Sequence, residues 1–192
     1  MLKIISFLLL FTVTGCFAEK GSPAAAGGDQ NEASSGIKAD SKGMSLATVV
    51  IKTVHGNIAF KFYPTKAPNT SKRIAELVKS GFYDGLTFHR VVPNFVIQGG
   101  DPKGDGTGGT GMKLKAEFND LQHVRGTVAM ARSQDPDSAD SQFYIALNTL
   151  PNLDRNYTIF GQVIEGLELL DKVVIGEKII SMTYVEETLS EE

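Results

Sequence analysis

The segment Thr87–Gly109 reads TFHRVVPNFVIQGGDPKGDGTGG and sets a guanidinium in an oily run. His89 and Arg90 are flanked by Phe88, Val91, Val92, Phe95, Val96 and Ile97, and the run ends in Gln98. An arginine is always charged and is seldom buried without a partner, so its place here calls for a reason. With Gln98 and a more distant Gln142, Arg90 forms the polar part of a group that is otherwise apolar and aromatic. Apolar walls that grip a side chain, with a few fixed donors that orient an amide, suit a peptide-like ligand. The same pattern also fits a core in which Arg90 ties loops together.

Other chemistries find less support. The glycine-rich stretch Gly99–Gly111 lacks the Lys-Ser/Thr ending of a phosphate-binding loop, and no helical pattern follows it. Asp101, Lys103, Asp105 and Gly106 imitate a calcium loop, but its third position is Lys103 and its twelfth is Met112, where a bidentate Glu is required. His55, His89 and His123 show none of the paired spacings of a zinc site and read as structural. No Gly-x-Ser-x-Gly elbow occurs, and the one cysteine, Cys16, lies in the leader-like region. No metal, cofactor or covalent intermediate is expected.

The elements that must position these residues are short. Thr48–Thr53 and Asn57–Phe62 read as a hairpin across Val54-His55-Gly56. Ile74, Leu77 and Val78 fall at helical spacing after a polar Asn/Thr/Ser entry, with Lys79 in the last turn and Gly81 as a stop. Further strands are predicted at 87–92, 95–98, 126–131, 142–147, 159–163 and 178–185, with a second short helix at 166–174. Many short strands broken by Gly, Pro and Asp, with two helices, predict an antiparallel sheet closed into a barrel.

Three ordered segments resemble the cyclophilins, a family of peptidyl-prolyl cis/trans isomerases: FHRVVPNFVIQGGDPKGDGTGG, GTVAMARS at Gly126–Ser133, and SQFYIALNTLPNLDRNYTIFGQVIEG at Ser141–Gly166. The likeness spans roughly Leu46 to Val185. It implies an all-β fold with two helices, a closed eight-stranded antiparallel barrel, and a non-covalent isomerase acting on X-Pro bonds of proline-containing polypeptides. By motif, Arg90 is the catalytic residue. Phe95, Val96, Tyr144, Leu153 and Tyr157 form the proline pocket, and Gln98 supports Arg90. Gln142 and the backbone of Ala131 and Arg132 hold the substrate chain, while His89 and Gly106 line the rim. Val96, Tyr144, Arg132 and Tyr157 depart from the more usual Met, Phe, Asn and His. Asn152 stands where many members carry a Trp, so weak binding of cyclosporin is expected. The rival readings are a binding module that recognises proline-containing segments without turnover, and a metal-dependent hydrolase, for which the ligands are lacking.

Outside the domain, MLKIISFLLLFTVTGC carries one Lys, an apolar stretch from Ile4 to Val13, and small residues before Cys16. That is a secretory signal pattern, too short to span a bilayer. Its ending resembles a bacterial lipoprotein signal, which implies lipidation at Cys16, an anchor in the bacterial cell envelope, and a domain in the periplasm or at the surface. Residues 17–43 are rich in Gly, Ala, Ser and charge and read as a flexible linker whose ends lie on the order of 25 to 30 Å apart. The expected organisation is 1–15 signal peptide, 16–43 lipidated N-terminus and linker, 44–187 catalytic domain and 188–192 tail. Of the 192 residues, 42% are hydrophobic and 21% charged, and 19 Lys plus Arg against 22 Asp plus Glu give a net charge of -3. One monomeric domain is expected, with no strong basic block for a nucleic acid.

Overall fold

A computed structural model describes residues 47–186. The leader, Cys16 and the linker, together with the tail, lie outside the described residues.

Eight strands follow in chain order: β1 (Ala47–Thr53), β2 (Gly56–Phe62), β3 (Arg90–Val92), β4 (Val96–Gly99), β5 (Thr127–Met130), β6 (Phe143–Ala146), β7 (Ile159–Glu165) and β8 (Ser181–Glu186). They form one antiparallel sheet in the order β3-β4-β6-β5-β7-β2-β1-β8. The predicted hairpin is present, with Thr48 opposite Lys61 and Thr53 opposite Gly56.

The expected closure of the barrel is corrected. No ladder joins the end strands β3 and β8, so the sheet is a curled, open half-barrel. Strand β3 has three residues in place of the six predicted: Thr87, at its expected start, makes only isolated bridges to Asp101 and Lys178, and the regular ladder to β4 begins at Arg90. The gap is crossed by irregular backbone. The N–H of Gly85 donates to Ile179 O, that of Ile179 to Leu86 O and that of Phe88 to Glu177 O, each at 2.8 Å. These contacts satisfy edge groups without extending either strand.

Helix α1 (Pro68–Lys79) buries Ile74, Ala75, Leu77 and Val78 and packs on β7 and β8. Its first turn is capped from a distance, not by the local Asn/Thr/Ser entry. Glu117 accepts the N–H of Asn69 at 3.0 Å and that of Thr70 at 2.8 Å, placing a carboxylate at the positive helix end. The second predicted helix is a 3-10 helix, Leu167–Lys172. No helix among the described residues is long and apolar enough to cross a membrane.

Strand alternation divides the apolar residues into two cores. Ile97, Val128, Met130, Phe143 and Ile145 join Phe60, Phe62, Phe88, Phe160 and Tyr83 inside the curl. Their neighbours Val96, Ala129, Tyr144 and Ala146 face the other way, into a smaller cluster with Leu150 and Ile159. Strands β4, β5 and β6 are therefore covered on both faces, and the second face carries the candidate site.

Candidate active site

The register of the sheet assembles the polar residues. Arg90 lies opposite Gln98, Gln98 opposite Tyr144, and Tyr144 opposite Ala129, one lateral row across β3, β4, β6 and β5. Cross-strand partners share a face, so the row brings together side chains up to 54 positions apart along the chain. Phe95 enters from the turn before β4, where Pro93 presets one dihedral and Asn94 takes φ +59°.

Arg90, Phe95, Val96, Gln98, Ala131, Arg132, Tyr144, Leu153 and Tyr157 line one cleft of about 280 Å³. All nine were named from sequence, and the fold brings them together. Val96 and Tyr144 are buried, whereas Arg90 is exposed at the mouth with its guanidinium 5.6 Å from the centre of the Phe95 ring. A polar chain runs away from the arginine. Arg90 Nη1 donates to Gln98 Oε1 at 3.4 Å, Gln98 Nε2 donates to Gln142 Oε1 at 3.0 Å, and Gln142 Nε2 donates to the carbonyls of Gly106 and Gly108 at 3.0 and 2.8 Å. Gln142 and Gly106 line an adjoining groove of about 550 Å³ that shares Gln98, Ala131 and Arg132 with the cleft.

Two other arginines are bound differently. Arg132 donates to the carbonyls of Asn156, Ser133 and Gln134 and lies 4.7 Å from the centre of the Tyr157 ring. Arg125 grips Asp171 with two donors, at 3.1 and 2.7 Å, and reaches the carbonyls of Leu147 and Leu167. Arg90 has one long hydrogen bond and no carboxylate within ion-pair distance among the described residues. Most of its five donors face the cleft mouth without a protein acceptor. Arg132 is thus a brace for the Tyr157 loop, which gives a reason for both departures from the usual residues to occur in one chain.

His89 stands apart from its expected place at the rim. It lines neither hollow, and its two ring nitrogens are buried without a hydrogen-bond partner. The glycine-rich loop is held by two carboxylates instead. Burial alone would raise the pKa of Asp101, but N–H donors from Lys103, Gly106 and Gly108, with the nearby His89, hold it below the usual carboxylate value. A Cβ at Gly108 would collide with Asp101 Oδ1, so this loop position admits only glycine without a shift. Asp140 accepts from Thr110 N and Oγ1 and from Gly111 N at 2.6 to 2.8 Å.

Two residues at the back of the cleft carry no recognisable motif. His123 is fully buried, with Nδ1 2.9 Å from Asp154 Oδ1 and Nε2 2.8 Å from the Tyr144 hydroxyl. Burial holds the imidazole below its ordinary pKa against the opposing effect of Asp154, and the His123 backbone N–H is the main group holding Asp154 low. The pair is therefore a neutral imidazole hydrogen-bonded to a carboxylate. Burial also pushes the Tyr144 phenol well up, so its proton stays in place. By sequence His123 reads only as structural, and the one hint of a polar partner is the hydroxyl on Tyr144.

The family described as cyclophilin type peptidyl-prolyl cis-trans isomerase/CLD matches residues 48–185. A peptidyl-prolyl cis-trans isomerase of Synechococcus elongatus is 41% identical over 142 residues, covering 73% of this chain and 97% of that protein. One of Helicobacter pylori is 43% identical over 142 residues, covering 72% and 86%. The fold is similar to that of a cyclophilin type isomerase of Cryptosporidium parvum, with a TM-score of 0.68 and 31% identity over 73% of this chain and 98% of that one. A second structure of that protein, in the presence of the dipeptide Ala-Pro, gives a TM-score of 0.67 at 33% identity, covering 74% and 99%. With the matched family spanning all eight strands but for a terminal residue of β1 and of β8, the chain belongs to the cyclophilin-type peptidyl-prolyl cis-trans isomerases.

Proposed function

We propose that the cleft binds the proline of an X-Pro segment and that Arg90 stabilises the twisted amide during its rotation. Resonance holds a peptide bond flat against a barrier of about 18 to 20 kcal/mol, and an unassisted X-Pro bond takes tens to hundreds of seconds to turn. No covalent bond breaks. As the amide twists, the prolyl nitrogen regains its lone pair and becomes a better acceptor. A donor placed there binds the transition state more strongly than either planar isomer.

The observation that carries this reading is the state of Arg90: a charged fork at the cleft mouth, lightly tied to Gln98, with donors still available. Phe95, Val96, Tyr144, Leu153 and Tyr157 supply the apolar walls that hold the ring, and a ring seated against them displaces water from its contact with the guanidinium, which strengthens that contact. Gln142, through the glycine carbonyls, and the backbone of Ala131 and Arg132 border the path along which the rest of the substrate chain runs. The Ala-Pro dipeptide present with the Cryptosporidium protein supports a proline-containing ligand of this class. His89 is placed outside the cleft and takes no part in this reading.

The test is a structure of the full chain with a bound prolyl peptide. Arg90 donating toward the prolyl nitrogen is the expected result, and a guanidinium turned away from the ligand overturns the mechanism.

We further propose that export and lipidation at Cys16 tether the domain to a bacterial envelope membrane, where it assists the folding of exported polypeptides. Mass analysis of the mature N-terminus tests this: a lipid-modified Cys16 is expected, and an unmodified Cys16 overturns the anchor.

A further inference from the structure

We propose that His123 and Asp154 are positioning residues of the isomerase, acting on the cleft through Tyr144. This rests on the reading of the cleft as the proline pocket. Neither residue lines the cleft, yet every polar atom of the buried imidazole is used. An ionised Asp154 can only accept, so its hydrogen bond at 2.9 Å places the imidazole proton on Nδ1. The lone pair on Nε2 then faces the Tyr144 hydroxyl at 2.8 Å and accepts a hydrogen bond from it. The His123 backbone N–H donates to the same carboxylate oxygen at 2.7 Å, which fixes the loop that carries the ring.

The chain of donors connects two walls that belong to different parts of the fold. Tyr144 is on β6, whereas Leu153 and Tyr157 come from the loop between β6 and β7, in which Asp154 directly follows Leu153. The Tyr144 and Tyr157 rings meet edge to face, with centres 5.8 Å apart and planes at 85°. Fixing the hydroxyl of one ring and the loop of the other sets the spacing between the walls that grip the substrate ring. Phenylalanine at 144 would fill the same ring volume but leave His123 Nε2 without a donor in a dry site. The tyrosine and the buried histidine are therefore matched to each other. Because the link shapes the resting cleft and does not touch the rotating bond, its loss should fall on substrate binding.

The experiment is steady-state isomerisation of a prolyl tetrapeptide, followed by exchange NMR over a range of peptide concentrations, on the full chain and its variants. Asp154→Ala and His123→Leu are expected to raise KM about threefold to tenfold, the range one hydrogen bond spans, with kcat within about twofold. Asp154→Asn keeps an accepting oxygen and is expected to restore KM to within about twofold of wild type. Tyr144→Phe combined with His123→Leu is expected to be no worse than His123→Leu alone. An unchanged KM in folded Asp154→Ala, or equal damage from Asp154→Asn and Asp154→Ala, overturns the proposal. If Asp154→Ala does not fold, Tyr144→Phe, which removes one atom from a ring that stays packed, decides by the same KM criterion. Arg90→Ala separates the two readings. Wild-type turnover there removes the pocket assignment and this proposal with it, whereas lost turnover beside unchanged KM values in the relay variants removes the relay alone.

Discussion

Replacing Arg90 with alanine takes away the one charged donor group at the cleft mouth that the protein has not already tied down. The structure makes the substitution clean. Arg90 is exposed, has one hydrogen bond at the long end of the range, and rests against Phe95, so the folded state should change by no more than about 0.5 kcal/mol, as at other surface sites. The transition state should change far more. A hydrogen bond from a charged donor contributes roughly 1.5 to 3 kcal/mol, which at 1.36 kcal/mol per factor of ten is about tenfold to a hundred-and-fiftyfold in kcat/KM. The loss should lie in kcat, because the apolar walls that hold the ring remain. Arg90→Lys should fall between: an ammonium keeps the charge but lacks the planar fork that reaches Gln98 and the substrate together. Exchange NMR on a prolyl peptide, with denaturation of each variant as a control, measures both quantities. A folded Arg90→Ala with kcat/KM within about twofold of wild type would refute the idea that this guanidinium stabilises the twisted amide.

Two other perturbations follow from the same geometry. Arg132→Ala removes the contact over the Tyr157 ring, roughly 0.5 to 1 kcal/mol at an exposed site, together with the donors that fix the Asn156 carbonyl. KM should rise about two- to fivefold with little change in kcat, and an unchanged KM would show that the loop holds its place unaided. Stability should fall with acid in two stages, measured as the urea midpoint against pH. His123 is held below its ordinary 6.5, so the unfolded chain binds the extra proton first, and this contribution is complete above 6.5 and lost as pH falls through the folded value. Asp101 and Asp154 are held below 3.8, so theirs is present above 3.8 and lost as pH falls through their lower folded values. A midpoint that did not decline between neutrality and mild acid would contradict the buried, neutral imidazole.

What the sequence showed, and what it did not, divides along a physical line. Short β-rich runs punctuated by Gly, Pro and Asp located all eight strands within a few residues, and the spacing of Ile74, Leu77 and Val78 located α1. Local chemistry did not reveal that the helix is capped by Glu117, 47 positions beyond Thr70, nor that β3 would stop at three residues and leave the half-barrel open. Those outcomes depend on which edges meet after the sheet curls. The site follows the same rule. Its nine cleft residues were legible because three segments carry a resemblance to known isomerases, yet the sequence placed His89 at the rim and the fold leaves it half-buried outside both hollows.

The His123 relay shows why such a gap is expected. A buried histidine has no periodic signature, and its meaning lies in what faces each nitrogen: Asp154 from 31 positions away and Tyr144 from 21. The clue that was present in the sequence was the hydroxyl on Tyr144 where phenylalanine is more usual, since a buried phenol needs a hydrogen-bond partner. In a dry wall the extra oxygen must meet an acceptor or donor nearby, and the imidazole meets it. A polar atom on an otherwise apolar wall therefore points to a second polar group behind it, just as an arginine in an oily run points to a ligand in front of it.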